Sequence, residues 1–194
     1  LAGAGMTSTR ATLPPHDQLP LFDLVWPGVE YVAPMASRTV NVVSSSRDRR
    51  DVFNARLLEG LTLIGPYEIP RIGLCTEVPE QLIPFSEASA CGKPERNAWV
   101  HFYEDDYRFA RLWHAPEKYL DRLARFSGVI CPDFSLYRNM PVAQKITNTY
   151  RNQLLGAWMQ VAGIPVIANV RLSGRESIPY ALAGIPRHAT VALG

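Results

Sequence analysis

Apolar residues along this chain come in short unbroken runs separated by stretches of helical spacing. Trp99-Val-His-Phe-Tyr103, Val129-Ile-Cys131, Ile164-Pro-Val-Ile-Ala-Asn-Val170 and Ala189-Thr-Val-Ala-Leu193 have strand length and are rich in β-branched or aromatic residues. Between the first two, Tyr119, Leu120, Leu123 and Phe126 recur at i, i+3 and i+4. They predict a helix over 117–126, with Pro116 in its first turn and Gly128 at its end. Residues 107–113 add a helical turn. Val142, Ile146, Tyr150, Leu154, Leu155, Trp158 and Val161 predict a long helix from Pro141 to about Ala162, closed by Gly163. A short helix follows over 177–183, with Pro179 in its first turn and Gly184 after it. Strand and helix alternating in this way predict an α/β fold. Its repeated βαβ units form a mainly parallel sheet with right-handed crossovers, either open or part of a barrel.

The first third of the chain has a different texture. Residues 6–36 are rich in Pro, Ser and Thr, and Pro14, Pro15, Pro20, Pro27 and Pro34 exclude a long helix there. The segment reads as an extended arm that packs Leu21-Phe-Asp-Leu-Val-Trp26 onto the domain. Arg38-Thr-Val-Asn-Val-Val43 alternates and is β-branched, hence a strand. Ser44-Ser-Ser-Arg-Asp-Arg-Arg-Asp51 reads as a solvated loop leading to a short helix over 52–59. Residues 1–59 thus form an arm with a short strand and helix, and 60–194 the α/β domain. Within that domain Pro70-Arg-Ile-Gly-Leu74 reads as a short strand. Residues 78–85 read as a Pro-punctuated connection and 86–97 as a loop.

Composition narrows the function classes. The 20 basic and 18 acidic residues leave a net charge of +2, too balanced for a strong phosphate-backbone binder. Three cysteines, Cys75, Cys91 and Cys131, without CxxC spacing argue against a disulfide framework or a zinc knuckle and favour a reducing cytoplasm. No apolar run reaches the roughly 18 residues of a membrane span. The N-terminus lacks the basic-then-apolar layout of a signal peptide. There is no GxGxxG, Walker loop, HExxH or GxSxG, which argues against the commonest cofactor and hydrolase classes.

Candidate chemistry gathers at strand exits, where parallel α/β folds keep their ligand sites. Asp105 and Asp106, with Glu104, leave the strand ending at Tyr103. Asp133 leaves the next one behind Pro132, followed by Ser135, Tyr137 and Arg138. Asn169 and Arg171 leave the third, while Asn148 and Arg151 reach up from the long helix. Carboxylates near arginines suit a divalent cation, or a division of acid and base roles among Asp105, Asp106 and Asp133. The plainer alternative is that these acids cap helix N-termini, where Asp and Ser are favoured anyway. His101 reads as a satisfied residue of its strand, Cys131 as a buried apolar one, and Asn148, Arg151 and Asn152 equally as a solvent-facing patch.

Several motifs agree in order and spacing with one family. They are His101-Phe-Tyr-Glu-Asp-Asp-Tyr107, Trp113 with Pro116-Glu-Lys-Tyr119, and Gly128 through Pro141 around Pro132-Asp-Phe-Ser-Leu-Tyr137. Asn148-Thr-Tyr-Arg-Asn152, Val166-Ile-Ala-Asn-Val-Arg171 and Gly184-Ile-Pro186 complete the set. From about Pro70 onward the chain resembles the domain-of-unknown-function family 4417 of bacteria, their phages and other mobile elements. The resemblance implies a phage or mobile-element setting. It marks Asp105, Asp106, Asp133, Ser135, Tyr137, Arg151, Asn169 and Arg171 as motif positions. Ala183 stands where the family typically has an acid, and Leu172 where it tends to have Trp. The leading expectation is an enzyme or ligand binder whose cleft takes a nucleotide or other phosphorylated ligand. One alternative is a non-catalytic binder of a host or phage protein through the N-terminal arm. The other is a DNA-associated factor using Arg47, Arg49, Arg50 and the arginines between 108 and 125.

Overall fold

The computed structural model describes residues 37–40, 51–91 and 97–194, all within a compact unit spanning Ala33–Gly194. The extended part of the predicted arm, residues 6–36, and the loop carrying Arg47, Arg49 and Arg50 lie outside the described residues.

Among the described residues β1 (Ser37–Thr39), β2 (Thr62–Ile64) and β3 (Ile69–Pro70) form a small sheet, and five strands, β4 (Gln81–Pro84), β5 (Ala98–His101), β6 (Gly128–Ile130), β7 (Val166–Val170) and β8 (Val191–Leu193), make the main one in chain order. All four neighbouring pairs are parallel, with Val100 opposite Val129, Val129 opposite Val166 and Asn169 opposite Ala192. The helices are α1 (Phe85–Ala90), α2 (Asp106–His114), α3 (Glu117–Leu123), α4 (Val142–Val161) and α5 (Ile178–Ala181). When each strand is added on the same side through crossovers of one hand, the helices collect on one face. The sheet then curls away from them into a half-barrel. The α/β reading therefore holds, in its part-barrel form.

Burial follows the two faces. Ala98, Val100, Val129, Cys131, Val166 and Ala168 turn to the helices and join Phe85, Phe109, Leu112, Leu154, Leu155 and Met159 in the main core. Trp99, Ile130 and Ile167 turn the other way and pack with Cys75 and Ala192 inside the curl. Burial on both faces is why these strands read as continuous apolar runs. Two glycines permit the close packing. A Cβ on Gly128 would run into the Trp99 ring and come within 2.7 Å of the Pro165 carbonyl. A Cβ on Gly156 would strike the Cys131 sulfur, so α4 packs closely on Cys131, just past β6, and on Val166 of β7 only because that position is bare.

Four expectations need correction. The connection and loop assigned to 78–97 contain β4 and α1, so the sheet has five strands instead of four. β4 is an edge strand with Gln81 and Leu82 exposed, and it ends in a proline, which hides it from an apolar-run criterion. The strand expected over 70–74 is a two-residue bridge, β3 (Ile69–Pro70). It pairs antiparallel with β2 (Thr62–Ile64), which pairs in turn with β1 (Ser37–Thr39). The helix expected over 52–59 is a single 3-10 turn, Ala55–Leu58. On α4, Val142 and Val161 are exposed, while Lys145, Thr149, Asn152 and Gln153 are buried. The helix is covered on two sides, by the sheet and by β3, so an amphipathic stripe describes it poorly. No helix among the described residues is long and apolar enough to cross a membrane.

Candidate functional site

Beyond β6 the chain runs extended and buried through Cys131-Pro132-Asp133-Phe134-Ser135-Leu136. Pro132 has no N–H to continue a ladder, so other groups must hold this segment. The Asn152 side chain does so at Phe134, accepting its N–H at 2.8 Å and donating to its carbonyl at 3.2 Å. Ser135 is gripped from two sides. Its N–H and hydroxyl donate to the Asp106 carboxylate at 3.2 and 2.9 Å, and its carbonyl accepts from Asn148 Nδ2 at 2.8 Å. The Arg151 guanidinium lies 4.0 Å from the centre of the Phe134 ring and 4.7 Å from that of Trp113. Burial pulls its ionisation down, against the pull of Asp106.

This clamp fixes Asp133, which is 4% exposed. Asn169 Nδ2 donates to one carboxylate oxygen at 2.7 Å and the Arg171 guanidinium donates to the other. Tyr103 Oη donates to Asn169 Oδ1 at 3.1 Å. A polar row therefore crosses three adjacent strand ends: Tyr103 after β5, Asp133 after β6, Asn169 and Arg171 at and after β7. Burial pushes the Asp133 carboxyl up to about 6, although Arg171 and Asn169 favour its charged form; the nearby Asp106 charge adds to the rise. Burial, then the Asp133 charge, also raises the Tyr103 phenol, which therefore stays a donor.

The row opens on a cleft of about 760 Å³. Asp105, Asp133, Ser135, Tyr137 and Arg171 line it, with His101, Tyr103, Glu104, Arg108 and Glu87. Of the other candidates, Asp106, Asn148 and Asn169 sit one hydrogen bond behind lining residues, while Arg138 and Arg151 are not part of the lining. Glu104 is engaged at α1, accepting from the Ser86 N–H at 2.9 Å and from its hydroxyl, with Arg108 at 3.8 Å. Among the described residues, no group of three or more His, Cys, Asp or Glu side chains is placed to hold a metal ion. Asp105, Asp106 and Asp133 have different settings: Asp105 lines the cleft, Asp106 accepts from Ser135, and Asp133 is bonded to Asn169 and Arg171.

His101 and Tyr103 are the lining residues that the apolar-run reading passed over. Period-two alternation would have found them, because Trp99, His101 and Tyr103 share one strand face and only Trp99 lies within the apolar curl. Asn152, read as a solvent-facing patch, is in fact buried. Glu87 sits on α1, a helix read as loop.

The fold and the cleft define an α/β half-barrel protein with a polar site at the carboxyl ends of its parallel strands. The chain belongs to the family described as Domain of unknown function (DUF4417), whose model matches residues 61–194. It is similar to the Gene 1 protein of Mycobacterium phage L5, 34% identical over 151 residues, which cover 77% of this chain and 65% of that protein. It is also similar to the Gene 1 protein of Mycobacterium phage D29, 33% identical over 157 residues, covering 77% of this chain and 55% of that protein. The chain thus spans less than two thirds of either relative. No solved structure matches it. The resemblance read from the motifs stands, and the family is phage-associated.

Proposed function

We propose that the cleft is a ligand site of enzyme-like build, taking a nucleotide or other phosphorylated compound. One observation carries the reading: Asp133 is almost wholly buried, yet it lines an open cleft and is bonded by side chains from the neighbouring strand. Burying a carboxylate beside a guanidinium is a weak way to gain stability, and a hydrophobic pair of the same volume often does better. A buried carboxylate that titrates near neutrality at a strand exit is instead suited to trading a proton with a bound molecule. In this reading Arg108 and Arg171 take the anionic group. Asp105 and Glu87, which have no ion pair among the described residues, accept from hydroxyls. Ser135 and Tyr137 bond the remainder. Asp106, Asn148 and Asn169 hold the lining residues in place, and Arg151 packs the clamp from behind.

Thermal unfolding against nucleotides, other phosphorylated compounds and divalent cations, with wild type beside Asp133→Asn, tests this. A ligand at a hundredfold excess over its dissociation constant adds about 2.7 kcal/mol to the native state. The expected result is a midpoint shift with a phosphorylated ligand that the variant loses. No shift with any phosphorylated compound would overturn the reading.

A further inference from the structure

His101 closes β5 and lines the same cleft, half-buried beside Tyr103. Its Nδ1 accepts the Tyr103 backbone N–H at 3.2 Å. A nitrogen that accepts cannot also carry a proton, so the ring is neutral with its hydrogen on Nε2. The ring is also oriented, stacked on that of Tyr103 at 5.6 Å between centroids and 25° between planes. Nε2 lies on the ring edge away from the backbone and has no hydrogen-bond partner among the described residues. Burial outweighs the pull of Glu104 and Glu87 and keeps the ring neutral. The cleft's two guanidiniums are each partly committed, Arg171 to Asp133 and Arg108 to Glu104. His101 is thus a lining side chain with a fixed donor and, among the described residues, no acceptor for it.

We propose that His101 is a ligand-contacting residue, donating its Nε2–H to a phosphate oxygen held between Arg108 and Arg171. This rests on the reading of the cleft as a site for a phosphorylated ligand. The neutral ring adds a directed hydrogen bond without adding charge. It therefore suits an anion whose charge is already met by two arginines, and it selects among oxyanions by shape.

The test is calorimetric titration of the folded chain with the four nucleoside monophosphates and inorganic pyrophosphate. Wild type is compared with His101→Phe, which keeps a ring on Tyr103 but removes the donor, and with His101→Gln, which restores an amide donor. The expected result is a dissociation constant raised about tenfold in His101→Phe and substantially recovered in His101→Gln. Equal affinity in all three would overturn the role of His101 and leave the cleft reading standing. Failure of wild type to bind any probe would remove the cleft reading and this inference with it. Nitrogen NMR of the imidazole, read without ligand, supplies an independent arm. A neutral Nε2–H tautomer at pH 7 is expected, and a proton on Nδ1 would overturn the proposal whatever the probes do.

Discussion

Asp133 is held between opposing forces, and its titration shows which is larger. Burial raises the carboxyl to about 6 from an ordinary value of 3.8, while Arg171 and Asn169 pull it down. A carboxyl raised on folding stabilises the native state fully below its unfolded value, and that contribution is lost as pH rises through the folded value. Wild type should therefore lose roughly 2 kcal/mol relative to Asp133→Asn between pH 4 and pH 7. Asp51, Glu68 and Glu176 are shifted downward and act in the opposite sense, so only the difference between the two proteins isolates Asp133. Denaturant unfolding at each pH measures it, and a difference that grows in favour of wild type would mean that Arg171 outweighs burial. Asn152 makes a second residue-scale prediction. Asn152→Ala leaves both backbone groups of Phe134 buried without partners, which costs about 3 kcal/mol of stability. The strand-exit position of Asp133 could be read from its Pro-Asp turn. The burial of Asn152 could not, because a polar residue on a helix pattern reads as exposed unless one knows that a loop covers it.

At the scale of elements, legibility followed burial. β5, β6 and β7 are covered on both faces, so their sequences are continuous apolar runs and were readable. β4 pairs on one side alone and half of it faces solvent, so nothing in its four residues separates it from a loop. The length of α4 was equally legible, but its buried side was not, since both the sheet and β3 cover it. The close approach of α4 to Cys131 gives the test at this scale. Gly156→Ala drives a methyl group into the Cys131 sulfur and should destabilise the fold by about 1–3 kcal/mol. Adding Cys131→Ala makes room for it. A double-mutant cycle by thermal or denaturant unfolding should show the two changes compensating, whereas simple additivity would mean that the helix sits elsewhere.

Across the whole molecule, the strand order explains why the site lies where it does. Strands added in sequence on one side, with helices on one face, leave the other face curled around Trp99, Ile130 and Ile167. That apolar floor fills the curl below, and the polar row of Tyr103, Asp133, Asn169 and Arg171 stands where the strands end. Alternating strands and helices make the parallel sheet legible, but an open sheet and a curled one share that pattern; sequential pairing separates them. The lining of the cleft is not written in the pattern at all, because it comes from residues as far apart as Glu87 and Arg171.

This cleft is proposed to take a phosphorylated ligand. A second hollow of about 590 Å³ lies near Gly73, Cys75, Gln160 and Pro165, and it offers a natural control. The most direct measurement is amide chemical-shift mapping during titration with the nucleoside monophosphates and inorganic pyrophosphate. Shifts are expected to concentrate at His101, Tyr103, Asp133, Ser135, Asn169 and Arg171, and to be abolished in Asp133→Asn. Shifts centred on Gly73 and Gln160, or none with any of these compounds, would contradict the proposal.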